Sequence, residues 1–509
     1  MSIGRARTPA SVDAPGPVPA DATQPEPDVL ETTAAGGLIV RGGALRFGAY
    51  LGVVGLSVIS AALLTRYLGV ARFGAYTTVI SLVSIVASVT DAGMSGLGTR
   101  EYAVRKGAER RELMRDLLGL RVTLTMAGVV LALTFALAVG WDAALVAGTL
   151  AASLAVVALV VQHTLSIPIT TALRVGTLSA LDLARQAASV ALLVVLILAG
   201  AELFALLAVS LVVNVALVPV TARFVRGEIS MRPALHLRRW AALLRLTVYF
   251  SLAAAASTVY LYIAQILTSL IASDHQSGLF AAAFRIFIVI AAVPGMLVAT
   301  ALPMLARAAR DDRARLGYAL QRTFEATLIL GVAAALGVIA GARVIIAVVA
   351  GPKFTQAVGV LQIEGLALVA SFVLANWGFG LLALHRHRAM LLANLIALAV
   401  SASLTVVFVN AHGASGAAVA SVCGESALAI AYLVALVRCD PALRPELAVP
   451  AKVLLAAVPA AVVAFVPSLP GVVQPLASLG VFTLLIVALG AVPDELHELL
   501  PPGLRRRAS

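Results

Sequence analysis

Charged side chains are scarce in the apolar stretches of this sequence, so the few present are the first candidates for chemistry. Arg285, Glu364 and Glu425 stand inside such stretches, and Asp182 and Arg185 lie near the end of another. An ionisable group held in an apolar run is costly and marks a functional candidate by default. The planar guanidinium fork of Arg285 suits a phosphate-bearing anion, because it makes two parallel hydrogen bonds. A second reading pairs Arg285 with Glu364, since both lie at a similar depth from the same end of their runs, roughly 11 Å at 1.5 Å per residue. Glu425 reads either as a proton-coupling carboxyl or as a hydrogen-bonded packing residue. Asp182 and Arg185, three apart, read as a helix-surface salt bridge. Asp91 and Arg100 close one apolar run, while Arg46 and Arg245 begin two others. Together they focus an attractive field for an anionic head group; singly, each arginine also reads as snorkelling to lipid phosphates. Tyr260 and Tyr262 offer faces for stacking on sugars, or for ordinary helix packing. Covalent chemistry has no support: there is no Walker A and no HExxH sequence. The two cysteines, Cys423 and Cys439, have neither zinc spacing nor a plausible disulfide partner. No catalytic residue, metal or cofactor is expected.

The elements that must position these residues follow from composition. Of the 509 residues, 61% are hydrophobic and 12% charged, and Lys plus Arg (37) exceeds Asp plus Glu (25) by 12. Mean hydropathy is +1.01. A soluble domain carries about 25% charged residues, and no water-soluble fold of this length hides so much apolar surface. A soluble enzyme, a disordered chain and a secreted disulfide scaffold are excluded. The basic residues sit in short connections between apolar runs, so the positive balance indicates membrane topology and lipid contact, not nucleic acid.

The fold class is all-α and polytopic, with about fourteen transmembrane helices of about 20 residues. They run over 44–67, 74–96, 118–140, 143–165, 178–200, 202–223, 245–272, 278–304, 324–348, 356–383, 388–410, 413–437, 449–467 and 474–493. Residues 1–41, with Pro9, Pro15, Pro17, Pro19, Pro25 and Pro27, lack an apolar core and read as a disordered tail. Arginines crowd the connections after even-numbered spans: Arg105, Arg110 and Arg111 after the second, Arg238 and Arg239 after the sixth, Arg310 and Arg313 after the eighth. The positive-inside rule then places both termini in the cytoplasm. After the second span, Tyr102, Val104, Leu113, Met114 and Leu117 alternate with arginines, which suits an amphipathic helix on the head groups or simple topology signals. No connection is long enough for a catalytic domain.

An internal repeat adds organisation. LLTRYLGVARFGAY (63–76) matches ILTSLIASDHQSGLF (266–280), aligning Thr65 with Thr268 and Gly74 with Gly278. The offset equals about six spans, an even number, as in parallel-repeat transporters whose substrate site lies between the halves. That divides the chain into a six-helix lobe at 42–243, a second at 244–440, and two further helices with a basic tail at 441–509.

Five segments then resemble a known family. Arg66, Leu68, Gly69, Phe73, Gly74, Asp91, Gly93, Arg100 and Glu101 lie in a stretch similar to the N-terminal signature of bacterial polysaccharide transporters, the oligosaccharide flippases. SGLFAAAFRI (277–286), PGMLVATALPMLAR (294–307), GPKFTQAVGVLQIEGLALV (351–369) and HGASGAAVASVCGES (412–426) resemble later family segments, in the right order. The family belongs to the multidrug, oligosaccharidyl-lipid and polysaccharide exporter superfamily. The resemblance implies two pseudo-symmetric lobes around a central cavity in the cell membrane, and alternating access. It also implies transfer of a polyprenyl-diphosphate-linked glycan to the outer leaflet, so that the anion for Arg285, where it is not paired with Glu364, is the diphosphate. Implied partners are the pathway's polymerase and glycosyltransferases. The driving force stays open between an H+ or Na+ gradient and consumption of the product outside. Where many members carry an Asp in the seventh helix this chain has Gln265, which removes the acid that ion coupling there would use. A small-molecule exporter of the same superfamily, or a membrane enzyme of polysaccharide assembly, are the rival readings.

Overall fold

The computed structural model describes residues 33–491, apart from 92, 173, 226–233 and 467–469. Most of the expected N-terminal tail, and the basic C-terminal tail, lie outside the described residues. Every described element is helical, for a physical reason. Hydrocarbon offers no partner to backbone N–H and C=O groups, so each spanning segment satisfies its own.

The first helix, α1 (Thr33–Asp91), holds both of the first two expected spans as 59 residues bent at Gly69, where φ is 70°. Only glycine takes that conformation without strain. After Gly93 come α2 (Met94–Val104), α3 (Gly107–Ala138), α4 (Ala143–Leu165), the short α5 (Ile167–Thr171), α6 (Val175–Leu198) and α7 (Leu203–Phe224). The remainder comprises α8 (Leu237–Ile271), α9 (Asp274–Asp311), α10 (Arg313–Val349), α11 (Ala357–Ala383), α12 (His387–Cys439), α13 (Ala448–Ala464) and α14 (Val473–Ala488). Like α1, α12 covers two expected spans and bends at a glycine, Gly413. Among the described residues, eleven helices are long and apolar enough to cross a membrane, fewer than the fourteen expected. The difference has two sources: α1 and α12 each hold two expected runs, and α14 is only 16 residues long.

The helices pack as two sets joined along α1. In the first, α4 packs on α7 and α3, and α1 on α6; in the second, α11 packs on α9, α10 and α12, and α8 on α12. Across the sets, α1 lies against α8 and α9, while α13 and α14 pair with each other on α10. Leucines and valines such as Leu131, Val195, Leu198, Leu454 and Val462 point outward, as a hydrocarbon solvent permits.

The apolar face of the amphipathic segment expected after the second span is turned to protein. Tyr102, Leu113, Met114 and Leu117 are buried in one cluster with Trp240 and Leu243 from the start of α8; of the expected set, only Val104 stays exposed. The sequence pattern shows an apolar face but not what covers it, and here protein covers it. Asp116, buried on α3, accepts from His236 at 2.7 Å and from Arg239 at 3.4 Å, and Glu112 pairs with Arg239. These bonds strap the start of α8 to the first set.

Candidate functional site

The seam between α1 and the helices α8 and α9 is where the polar side chains gather. Arg285 lies on α9, 11 residues past Asp274, or about 16 Å along the axis. That is near the middle of Asp274–Val298, a stretch long and apolar enough to cross a membrane. It is half-buried, and its Nη2 donates to Ser57 Oγ on α1 at 2.9 Å. Further along, Thr258 Oγ1 on α8 donates to Ser88 Oγ at 2.7 Å. Gln265 is fully buried, and its Nε2 donates to Thr78 Oγ1 at 3.3 Å and Ser277 Oγ at 3.1 Å. Gln265 is thus a neutral tie between α8 and α1, and a carboxylate there has no hydrogen to donate. At the end marked by Gly69, Thr65 Oγ1 and Arg66 Nη2 donate to the Val349 and Val348 carbonyls at 3.0 and 2.6 Å.

The ion pair offered for Arg285 and Glu364 does not form. Arg285 reaches across the seam to α1, whereas Glu364 faces the interior of the second set, where Ser421 Oγ on α12 donates to it at 3.0 Å. Depth along a helix is readable from sequence; the direction a side chain takes around it is not. Glu425 accepts from the Tyr260 hydroxyl at 2.9 Å. Each carboxylate keeps one oxygen, Glu364 Oε2 and Glu425 Oε2, without a partner. Tyr260 is 5% exposed, so the sugar-stacking role is withdrawn for it and the packing role stands. Tyr262 is half-buried and meets Phe284 edge-on at 6.1 Å.

At the basic end the expected arginines converge. Arg100 and Arg245 line one cavity of about 430 Å3 between α2 and α8, with Gly93, Tyr249, Phe250 and His387. Arg388 stacks over the Tyr249 ring at 4.4 Å, adding a further cation. The side chain of Arg46 lies outside the described residues. Asp91 is not free to join this cavity. Its Oδ1 accepts from Arg121 Nη2 at 2.5 Å and from Ser95 Oγ at 2.8 Å. Asp182 and Arg185 pair at 3.2 Å, as their spacing predicts.

Sequence reasoning misses Arg121, which is fully buried, with Nε and Nη1 unpartnered. Its signal was present: it stands in LLGLRVTL, just inside the third expected span. Ser57 carries no such signal, because only packing brings it to the seam; Arg388 opens the eleventh expected span, but only packing sets it over Tyr249 at the basic end. Among the described residues, no group of three or more His, Cys, Asp or Glu side chains forms a metal site.

With this geometry in place, comparison with known proteins is informative. The model of the polysaccharide biosynthesis protein family matches residues 39–309, just over half of the chain. The chain belongs to the polysaccharide biosynthesis protein family. The match spans α1 to α9 and includes Arg285 and the whole α1 seam, so the resemblance read from the motifs holds. A search among curated proteins returns no sequence match. Among solved structures, this family member superposes on the lipid II flippase MurJ in an inward closed conformation with a TM-score of 0.73. The identity is 14%, covering 87% of this chain and 98% of that one. It also superposes on a multidrug resistance MATE transporter of the MOP superfamily, inward-facing, with TM-score 0.62, 13% identity, and 78% and 98% coverage. An outward-facing MATE structure gives 0.54, 13%, 78% and 96%. At such identities the likeness establishes the fold: a multi-span membrane protein built like flippases and exporters.

Proposed function

We propose that this protein is a flippase that carries a polyprenyl-diphosphate-linked oligosaccharide from the cytoplasmic to the outer leaflet of the cell membrane. The observation that carries the reading is Arg285: a cation near the middle of its apolar stretch, on the seam between the two sets of helices, held among the described residues by a neutral serine of the opposite set. A cation so placed favours an anionic cargo over a cationic drug, and its fork suits a diphosphate. Arg100 and Arg245, in the cavity at the basic end, form the receiving mouth. With the basic end cytoplasmic, a substrate enters there and passes to Arg285 as the sets rock about α1. The bends at Gly69 and Gly413 let α1 and α12 supply two spans each, which with α14 brings the eleven long apolar helices to the fourteen of two six-helix lobes and a C-terminal pair.

The test is the sidedness of lipid-linked glycan after depletion of the protein, probed in cells and inverted vesicles with an impermeant glycan-modifying reagent. Accumulation on the cytoplasmic face with loss of surface polymer is the expected result. If the intermediate reaches the outer leaflet but is not polymerised, the protein acts after transfer and the flippase reading fails.

A further inference from the structure

We infer that a second cavity, inside the first set of helices, is a glycan subsite, and that α2 is the wall dividing it from the cationic mouth. The inference rests on the flippase reading and adds to it where the sugars bind.

The cavity has a volume of about 470 Å3 between α1, α2, α4, α5 and α6, within the range of small-molecule sites. Tyr50, Ser95, Thr99, Gln162, His163 and Ser179 contribute to its lining. Gln162 is 4% exposed, yet its Oε1 has no hydrogen-bond partner. A buried acceptor without a donor is rare in a folded protein, and this one belongs to a residue of the cavity wall, one side-chain rotation away from an O–H or N–H that a ligand there would offer. The charges around it cancel in pairs: Asp182 and Arg185 are bonded to each other at 3.2 Å, and behind Ser95, whose hydroxyl meets both, Arg121 is paired with Asp91. What remains is a set of hydroxyl, amide and imidazole groups with one aromatic face. That set matches a hydroxyl-rich ring, whose O–H groups both donate and accept and whose C–H face packs on an aromatic surface. It is a poor match for a phosphate, which needs an unpaired cation.

The two cavities share α2. Ser95 and Thr99, four apart, line the neutral one, whereas Gly93, Gly96, Leu97, Arg100 and Glu101 line the cationic one. At 3.6 residues per turn these rows fall on opposite faces. One helix therefore presents hydroxyls to one side and a cation to the other. A helix is about 10–12 Å across with its side chains, a distance that a glycan of several sugars bridges while its diphosphate stays with Arg100 and Arg245.

The test uses the purified full-length chain in lipid nanodiscs and two probes: polyprenyl diphosphate, and the lipid-linked glycan pool extracted from cells depleted of this protein. Wild type is expected to bind the glycosylated lipid at least about tenfold more tightly, equivalent to about 1.4 kcal/mol. Gln162→Leu and, separately, Tyr50→Ala should each cut that gain to about threefold or less while leaving the affinity for polyprenyl diphosphate unchanged. The unchanged affinity also reports that each variant is folded. Equal binding of the two probes by wild type, or a gain that survives both substitutions, overturns the glycan subsite and leaves the flippase reading standing. Failure of wild type to bind either probe overturns the flippase reading itself.

Discussion

Gly74 and Gly278, the matched glycines of the internal repeat, meet face to face across the seam. A Cβ built on Gly74 falls 2.7 Å from the Gly278 amide nitrogen, and one built on Gly278 overlaps the Val70 carbonyl. Each set of helices thus offers its hairpin glycine to the other, and α1 and α9 approach to backbone contact. The matched threonines behave alike too: each turns its hydroxyl back to the carbonyl four residues earlier, Thr65 Oγ1 lying 2.9 Å from that of Ala61, where it shares its one hydrogen with Val349, and Thr268 Oγ1 donating to that of Ala264 at 2.6 Å.

That contact predicts a sharp contrast between glycines of one helix. Gly278→Ala forces α9 away from α1 and should destabilise the protein by about 1–3 kcal/mol, the usual cost of overpacking. Gly295→Ala, on the same helix, has nothing within 4 Å of the new methyl and should be neutral or stabilising by up to about 1 kcal/mol. Thermal unfolding in detergent measures both, and equal shifts would contradict the close approach.

Arg285→Ala removes the cation of the seam. A hydrogen bond to a charged group is worth about 1.5–3 kcal/mol, so transport should fall about 10- to 150-fold. Arg285→Lys keeps the charge but loses the fork, and should lie between. Ser57→Ala, which removes only the resting partner, should transport near the wild-type rate. A flipping assay in proteoliposomes ranks the three.

Asp91 is the only ionic partner of Arg121 among the described residues, and Arg121 is 1% exposed by its side chain. Breaking a buried pair by removing one member costs about 3–5 kcal/mol. Asp91 keeps 32% of its side chain exposed, so Asp91→Ala should sit at the low end, about 3 kcal/mol. The double variant Asp91→Ala with Arg121→Leu should recover most of that loss, since no unpaired charge is left. A double variant as unstable as the single one would show that the pair is not what matters.

Glu425 and Tyr260 should be coupled within the second set. Tyr260→Phe and Glu425→Ala are each expected to destabilise by about 1–3 kcal/mol, with a coupling of about 0.5–3 kcal/mol in the double-mutant cycle. Strict additivity would mean that the hydroxyl and the carboxylate do not meet in solution.

Thr258 and Ser88 bring α8 and α1 within 2.7 Å at their hydroxyls. In a background with Cys423 and Cys439 replaced, Thr258→Cys with Ser88→Cys should cross-link under mild oxidation. If the two sets rock as proposed, this contact must open, so the oxidised protein should lose about tenfold or more of its transport and regain it on reduction. Full transport in the cross-linked state would exclude separation of the helices at this point.

Much of this protein was decided by its sequence. The excess of apolar residues forces helices in a bilayer, and the turn residues set most of their ends. The repeat around Gly74 and Gly278 and the motifs from Arg66 to Glu101 were enough to reach the family. Arg285, Arg100 and Arg245 were visible because a cation in or beside an apolar run has few reasons to be there. What the sequence left undecided is the rotation of each side chain about its helix and the identity of its neighbour. Depth is additive along a chain at about 1.5 Å per residue, but facing depends on how whole helices pack. Tertiary structure therefore turned Arg285 toward Ser57 and away from Glu364, sank Tyr260 against Glu425, and covered the amphipathic face of Tyr102 and Leu113 with Trp240 in place of lipid. It also set Arg121 behind Asp91 and gave α2 a neutral and a cationic face toward two cavities. These are contacts between residues far apart in the chain, and only packing brings them together.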